Sequence, residues 1–434
     1  MPLNIAVVGS GPSGFYTVAA LLKSGVECRI DIIERLPTPF GLIRGGVAPD
    51  HEKTKNVWRA YEKSALHDTV HYYGNVEVGR DVSMEELHQI YDAVVLAVGS
   101  PLDRKLGIPG EDKAGVVGSA SFVGWYNGHP DFRDLAPNLD IEAAVVVGNG
   151  NVAVDCARVL AKTPEEMAKT DLTEYAADAI HASPLTDIYM CGRRGPVEAK
   201  FTNVELREMG QLENCHPIVD PAQIPDSVTD DDMDDRDRRL RERNLETLRE
   251  FTTLSPEGKK KRLHFQFYHN PVEVLGGDRV EAVKMELTKV ENGRAVGTGD
   301  FIDVPCGLVI AAIGYYGAPF PGIPFDEDGG VAIHDDGRIS DGIYAVGWIK
   351  RGPTGVIGTN KHDGDQAAAQ ILEDFPEGAK PGRERLEVLL TERSVRWISY
   401  DDWKRIEEAE VANAPEGAPR RKFSRIEDML SLLD

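Results

Sequence analysis

Cysteine is scarce in this chain, with 5 among 434 residues (Cys28, Cys156, Cys191, Cys215 and Cys306), no C-x-x-C pair and no cluster spaced for a metal or an iron–sulfur centre. That scatter excludes a redox-active disulfide relay, which needs two neighbouring thiols, and predicts reduced thiols in a reducing compartment. Long apolar runs are missing as well. AAVVVG, DAVVLAVG and GLVIAAIG are strand-length, against the roughly 20 residues that span a bilayer, so no membrane span is expected. The first apolar run begins at Leu3 and leads straight into a glycine-rich turn, leaving no room for a leader, so the expected location is cytoplasmic. Positive charge is in deficit, Lys+Arg 49 against Asp+Glu 72, for a formal net charge of −23. A field of that sign repels phosphate backbones and argues against nucleic-acid binding.

What is present is glycine in two dinucleotide fingerprints, GSGPSG at Gly9–Gly14 and GNGNVA at Gly148–Ala153, each behind an apolar strand and opening a helix. A dinucleotide pyrophosphate needs exposed backbone N–H groups at a helix N-terminus, and glycine lets backbone and phosphate approach closely. The two sites differ at the end of the next strand. After the first fingerprint that strand ends in Glu34, a carboxylate placed for both ribose hydroxyls of FAD or NAD and repulsive to a 2′-phosphate. After the second it ends in CGRRGP, where Arg193 and Arg194 supply cationic forks suited to the phosphate monoester of NADP.

The pattern predicts an α/β protein with two Rossmann-like dinucleotide-binding domains of the glutathione reductase-like type. The expected boundaries are 1–103 for the first part of an FAD domain, 104–318 for the NADP domain, and 319–434 for the returning FAD part with a charged helical tail. The return is signalled by GAPFPGIPF, then by the strand GIYAVGW and a glycine-bracketed turn before a helix. Free N–H groups at that helix start suit the anionic pyrimidine end of a reduced flavin. An insertion at 220–262 carries the run DDDMDDRDRRLRER, whose Arg236, Arg239 and Arg243 share a helical face. Such a run is either a solvated face or a docking patch for an acidic partner.

On GSGPSG, PTPFGLIRGGVAPDH, GNGNVAVDCAR, CGRRGP with FTNVELREM, and above all GWIKRGPTGVIGTNK, the chain resembles the adrenodoxin reductase-type family of ferredoxin–NADP reductases over nearly its whole length. The resemblance implies FAD at Gly9, Gly11, Pro12, Ser13, Gly14, Glu34, Leu42, Val78, Trp348, Gly355, Val356 and Ile357. It implies NADP at Gly148, Asn149, Gly150, Asn151, Arg193, Arg194 and Glu205, with Gly355 near the nicotinamide. His51, Asp155 and Glu205 match a polar network beside flavin and nicotinamide, for positioning and proton supply, and no metal is implied. The implied activity is hydride transfer from NADPH to FAD, then single electrons to an acidic ferredoxin of [2Fe-2S] or similar type. Its docking is expected at Arg236, Arg238, Arg239 and Arg243, or at Lys259–Arg262, where local charge outweighs net charge. One departure is Gly45, where mammalian members usually have phenylalanine. Two other readings stay open on the residues alone: an FAD- and NAD(P)-dependent oxidoreductase with a small-molecule acceptor, and a non-catalytic nucleotide sensor.

Overall fold

Leu3–Val8 (β1) is buried at all six positions, the signature of a parallel strand covered on both faces. It turns at Gly9 into helix Pro12–Lys23 (α1), which has proline in its first turn and ends at Ser24 before Gly25. Strand Cys28–Glu34 (β2) then lies parallel to β1, in register from Leu3 opposite Cys28 to Val8 opposite Ile33. The structure, a computed structural model, describes residues 1–228 and 233–434. Contacts divide the chain into two units: Met1–Leu102, Asn127–Pro130 and Tyr315–Asp434 form the first, and Asp103–Tyr126 and Asp131–Gly314 the second.

In the first unit the described strands order as Arg338–Ser340, Ile343–Ala345, Ala93–Leu96, β1, β2 and Val70–Gly74. The strand Ile343–Ala345 pairs parallel to Ala93–Leu96. Helix Asn360–Asp374 packs against α1 so closely that a Cβ on Gly364 would lie 2.7 Å from the Thr17 nitrogen. The C-terminal tail belongs to this core. Trp403 is 1% exposed and stacks edge-on to Phe40, Glu410 is fully buried against Arg44, and Arg383 reaches the buried Asp31 at 2.7 Å. His129 fills the space beside Gly45, where an added Cβ would meet its ring at 3.2 Å, so the chain has put an imidazole where a larger residue at 45 would project.

The second unit repeats the design with Ala143–Val147 (β3), Asn151–Ala161 (α2) and Asp187–Gly192 (β4). Its described parallel sheet runs Val116–Gly118, Leu308–Ala311, β3, β4, Lys261–Phe267 and Cys215–Val219. A separate antiparallel sheet of His269–Leu275, Ala282–Glu291 and Arg294–Pro305 was not expected from the sequence pattern. Between the strands Cys215–Val219 and Lys261–Phe267, the charged insertion becomes helix Asp235–Phe251 (α3), capped by the Asp234 carboxylate on the N–H groups of Arg236 and Asp237. The start of its acidic run, 230–232, lies outside the described residues. Among the described residues no helix is long and apolar enough to cross a membrane.

Candidate functional site

Each fingerprint turn combines glycines needed by the fold with glycines left facing open space. In the first unit Gly9 has φ +105°, and a Cβ there would lie 2.5 Å from the Ala97 carbonyl oxygen. A Cβ on Gly14 would lie 2.2 Å from the Gly9 oxygen, so its absence lets α1 sit on β1. Gly11, by contrast, would meet nothing within 4 Å, and α1 starts there with no side chain capping its N–H groups. That is the cradle a pyrophosphate fits: free donors, a positive dipole end and room at the one position where a methyl would intrude. Glu34 is held at the end of β2 by Ser10, whose N–H and hydroxyl donate to Oε2 at 3.0 and 2.7 Å. Pro12 and Ser13 open α1, Leu42 is an exposed residue opening a short helix, and Val78 is buried.

The returning segment carries the other residues expected at this unit's site. Trp348 follows Gly347 (φ +72°), packs against Tyr315 with centroids 5.5 Å apart, and donates its indole N–H to the Thr354 carbonyl at 3.1 Å. Gly355 (φ +84°) turns the chain, Val356 is 69% exposed, and Ile357 begins a one-turn helix leading into Asn360–Asp374. An exposed valine between a left-handed glycine and a helix start is a surface suited to covering by a bound group. The Lys350 and Arg351 cations in the same segment are engaged internally, with Gln366 and Asp363. His51, also in this unit, precedes the short helix Glu52–Lys55 and donates its backbone N–H to the Ala48 carbonyl.

The second fingerprint obeys the same steric logic. Gly148 has φ +146°, and a Cβ would lie 2.2 Å from the Ala312 oxygen, whereas Gly150 would meet only the Lys200 Cβ at 3.9 Å. No side chain caps α2, and the turn is braced from outside: the Asn149 carbonyl accepts from the N–H groups of Lys200 and Phe201, and Asn151 Oδ1 accepts from Thr202 N–H at 2.8 Å. One turn into α2 the structure brings Asp155 and Glu205 together on a fully buried guanidinium. Arg158 donates to Asp155 at 2.7 Å and to Glu205 at 3.1 Å, and pairs with Glu208 at 3.4 Å. Arg158 fixes both carboxylates in orientation. It was invisible as a site residue in the sequence, where it reads as one more position of an amphipathic helix.

At the end of β4, the backbone of Arg193 and Arg194 is held by the antiparallel sheet and by the turn residue that precedes it. The Arg193 carbonyl accepts from the Thr288 hydroxyl at 2.7 Å, and the Arg194 carbonyl from Tyr268 N–H at 3.1 Å. Both arginines line a cavity of about 550 Å³ within this unit, shared with Asn270, Glu286 and Arg294. The docking candidates sort differently from the expectation. Arg236, Arg239 and Arg243 are exposed on α3, but Arg238 is turned inward to the Val228 carbonyl at 3.0 Å. Lys259–Arg262 is no free patch either: Lys259 and Lys261 donate to carbonyls of Leu212, Glu213 and Leu160, and Arg262 pairs with Asp187.

Known proteins resemble this chain in sequence and fold. The pyridine nucleotide-disulphide oxidoreductase family matches residues 3–170. The mitochondrial NADPH:adrenodoxin oxidoreductase of Mus musculus is 42% identical, covering 99% of this chain and 91% of its own length. The NADPH-ferredoxin reductase FprA of Mycobacterium leprae is 39% identical over 99% of this chain and 98% of its own. The structure of Mycobacterium tuberculosis FprA in complex with NADPH matches with a TM-score of 0.95 at 38% identity, covering 100% of this chain and 99% of that one. The chain belongs to the adrenodoxin reductase-type family of ferredoxin–NADP reductases.

The thiols of this chain are shielded from solvent. All five cysteines are free and buried. Burial pushes Cys215 and Cys306 up to about 12 and raises Cys28, Cys156 and Cys191 as well, so the reactive thiolate is suppressed at neutral pH. Native protein at pH ~7.5, still well below the usual thiol range, is therefore expected to release less than about one equivalent of chromophore from a disulfide reagent. All five thiols are expected to react in guanidinium. Rapid native reaction of two thiols, with loss of NADPH oxidation, would restore an internal disulfide relay as a contender.

Proposed function

We propose that this chain is an FAD-containing, NADPH-dependent ferredoxin reductase. The observation that carries it is the pair of unlike phosphate cradles, one closed by Glu34 and the other by Arg193 and Arg194, in a chain similar over its whole length to NADPH-ferredoxin reductases. FAD fits the first unit: Gly9–Gly14 hold the pyrophosphate, Glu34 the ribose, and Leu42, Val78, Trp348 and Gly355–Ile357 line the flavin. NADP fits the second: Gly148–Asn151 hold the pyrophosphate and the two arginines the 2′-phosphate. FAD, when bound, takes two electrons at once from a hydride donor and passes them on singly. Asp155 and Glu205, fixed by Arg158, serve positioning and proton supply in the second unit, and His51 serves the same ends in the first. A cytoplasmic setting suits five unpaired thiols.

The acceptor we infer is a small, acidic iron–sulfur ferredoxin that docks on the exposed face of α3 at Arg236, Arg239 and Arg243. Against a net charge of −23, such a patch acts only at short range, because the Debye length is about 10 Å at 0.1 M salt and about 3 Å at 1 M. A panel of ferredoxins assayed for NADPH-dependent reduction at these two salt concentrations tests both parts. For the accepted ferredoxin, joint substitution Arg239→Glu and Arg243→Glu is expected to raise KM about tenfold at low salt and to matter little at high salt. Equal KM for variant and wild type at low salt would move the docking site elsewhere. Failure to reduce any ferredoxin, with turnover on small-molecule acceptors intact, would replace the acceptor class itself.

A further inference from the structure

The arginine pair that meets the 2′-phosphate faces a second wall. Ala282–Glu291 (β5) and Arg294–Pro305 (β6) form a hairpin whose two-residue turn, Asn292 and Gly293, has φ +50° and +71° with Glu291 paired to Arg294. Two consecutive left-handed residues make the tight turn that matches strand twist, so Arg294 leaves it in register opposite Glu291. That place is the rim of the same 550 Å³ cavity that Arg193 and Arg194 line. The two walls are tied together. Thr288 of β5 donates its hydroxyl to the Arg193 carbonyl and its N–H to the Tyr268 carbonyl, and Arg194 reaches the Gly293 carbonyl at 3.5 Å.

A phosphate monoester presents three oxygens and a charge of about −1.5 to −2 at neutral pH. One guanidinium fork satisfies two oxygens, and Arg194 spends part of its donor set on the hairpin turn. The cavity therefore has work for another cation, and it also contains an opposing charge, Glu286, lying against Gly297. We propose that Arg294 is a third 2′-phosphate-binding residue and that Glu286 sets the affinity by opposing it, so that the hairpin tip is part of the NADP selectivity device. The proposal rests on the reading of Arg193 and Arg194 as the 2′-phosphate site. NADH has no group for Arg294 to hold, so the effect is confined to the phosphorylated cofactor.

The test uses the flavin-loaded enzyme, with KM for NADPH and NADH measured in steady state and the Kd of adenosine 2′,5′-bisphosphate measured by calorimetry. Arg294→Ala is expected to raise the NADPH KM and the bisphosphate Kd about tenfold, with the loss falling on binding and the NADH KM unmoved. Arg294→Lys recovers part of that loss, because it restores the charge without the fork. Glu286→Gln shifts both quantities the other way, about threefold tighter. An NADPH KM within about twofold of wild type in Arg294→Ala, far short of the tenfold a lost fork predicts, overturns the proposal, and so does an equal loss for NADH. The Arg193→Ala/Arg194→Ala variant is run alongside. If it loses NADPH preference while Arg294→Ala does not, the hairpin inference alone is wrong; if it too keeps the preference, the phosphate site itself has been misplaced and the inference falls with it.

Discussion

Replacing Arg193 and Arg194 together by alanine is expected to lower the ratio of kcat/KM for NADPH over NADH by about 10²-fold, through loss of NADPH binding and with NADH little changed. Each charge-assisted hydrogen bond to a phosphate contributes about 1.5–3 kcal/mol, and half-exposure of this loop keeps the sum toward the low end, about 3 kcal/mol. The loop itself is not at risk, because its backbone is held by Thr288 and Tyr268 through carbonyls that alanine retains. Steady-state kinetics with both cofactors decides the matter. If the double variant kept its preference, the selectivity would have to come from groups other than the strand-end arginines, and the contrast with Glu34 would lose its meaning.

A pair of glycine substitutions in the first fingerprint is expected to separate fold from ligand. Gly9→Ala puts a methyl 2.5 Å from the Ala97 carbonyl oxygen at φ +105°, and both the clash and the backbone strain act whether or not FAD is bound. The expected cost is about 3 kcal/mol or more, with protein that is colourless or recovered in low yield. Gly11→Ala meets nothing within 4 Å and sits at an ordinary φ of −78°, so the polypeptide folds. Its methyl stands instead where the pyrophosphate would lie, and flavin affinity falls at least about tenfold. The ratio of flavin to protein absorbance, with an unfolding midpoint for each variant, reads both effects. Gly11→Ala protein that holds FAD as tightly as wild type would contradict the placement of the pyrophosphate.

Much of this site was legible in the chain. β1, α1 and β2 lie around the first fingerprint as an apolar strand, a helix opened by the glycine turn and a second strand, and β3, α2 and β4 repeat the pattern around the second. The reason is that an unbroken apolar run and a glycine turn are local facts, decided by burial on both faces and by sterics within a few residues. The hairpin at Asn292–Gly293 carried an equally local signal, an Asn-Gly pair flanked by strand-forming residues, and it is the clue that leads to Arg294. Arg238 teaches the opposite lesson. On the helix it belongs to the same basic run as Arg239, and only the Val228 carbonyl, which it meets at 3.0 Å, takes it out of the exposed face.

By itself, then, the sequence determined two βαβ units with fingerprint glycine turns, a carboxylate at the end of one and two arginines at the end of the other, and the wide scatter of the five cysteines. The turns and strand ends come from glycine geometry and local charge, and the thiol reading from the spacing of five cysteines, none of which needs the folded chain. The tertiary structure alone decided that Arg158 is buried between Asp155 and Glu205, that the tail is anchored through Arg383 on Asp31, and that an antiparallel hairpin walls the arginine pocket. Asp31 and Arg383, like Arg194 and Gly293, are remote in sequence and joined only by packing. A charge shows what it can bind; its neighbours in space determine whether it is available to do so.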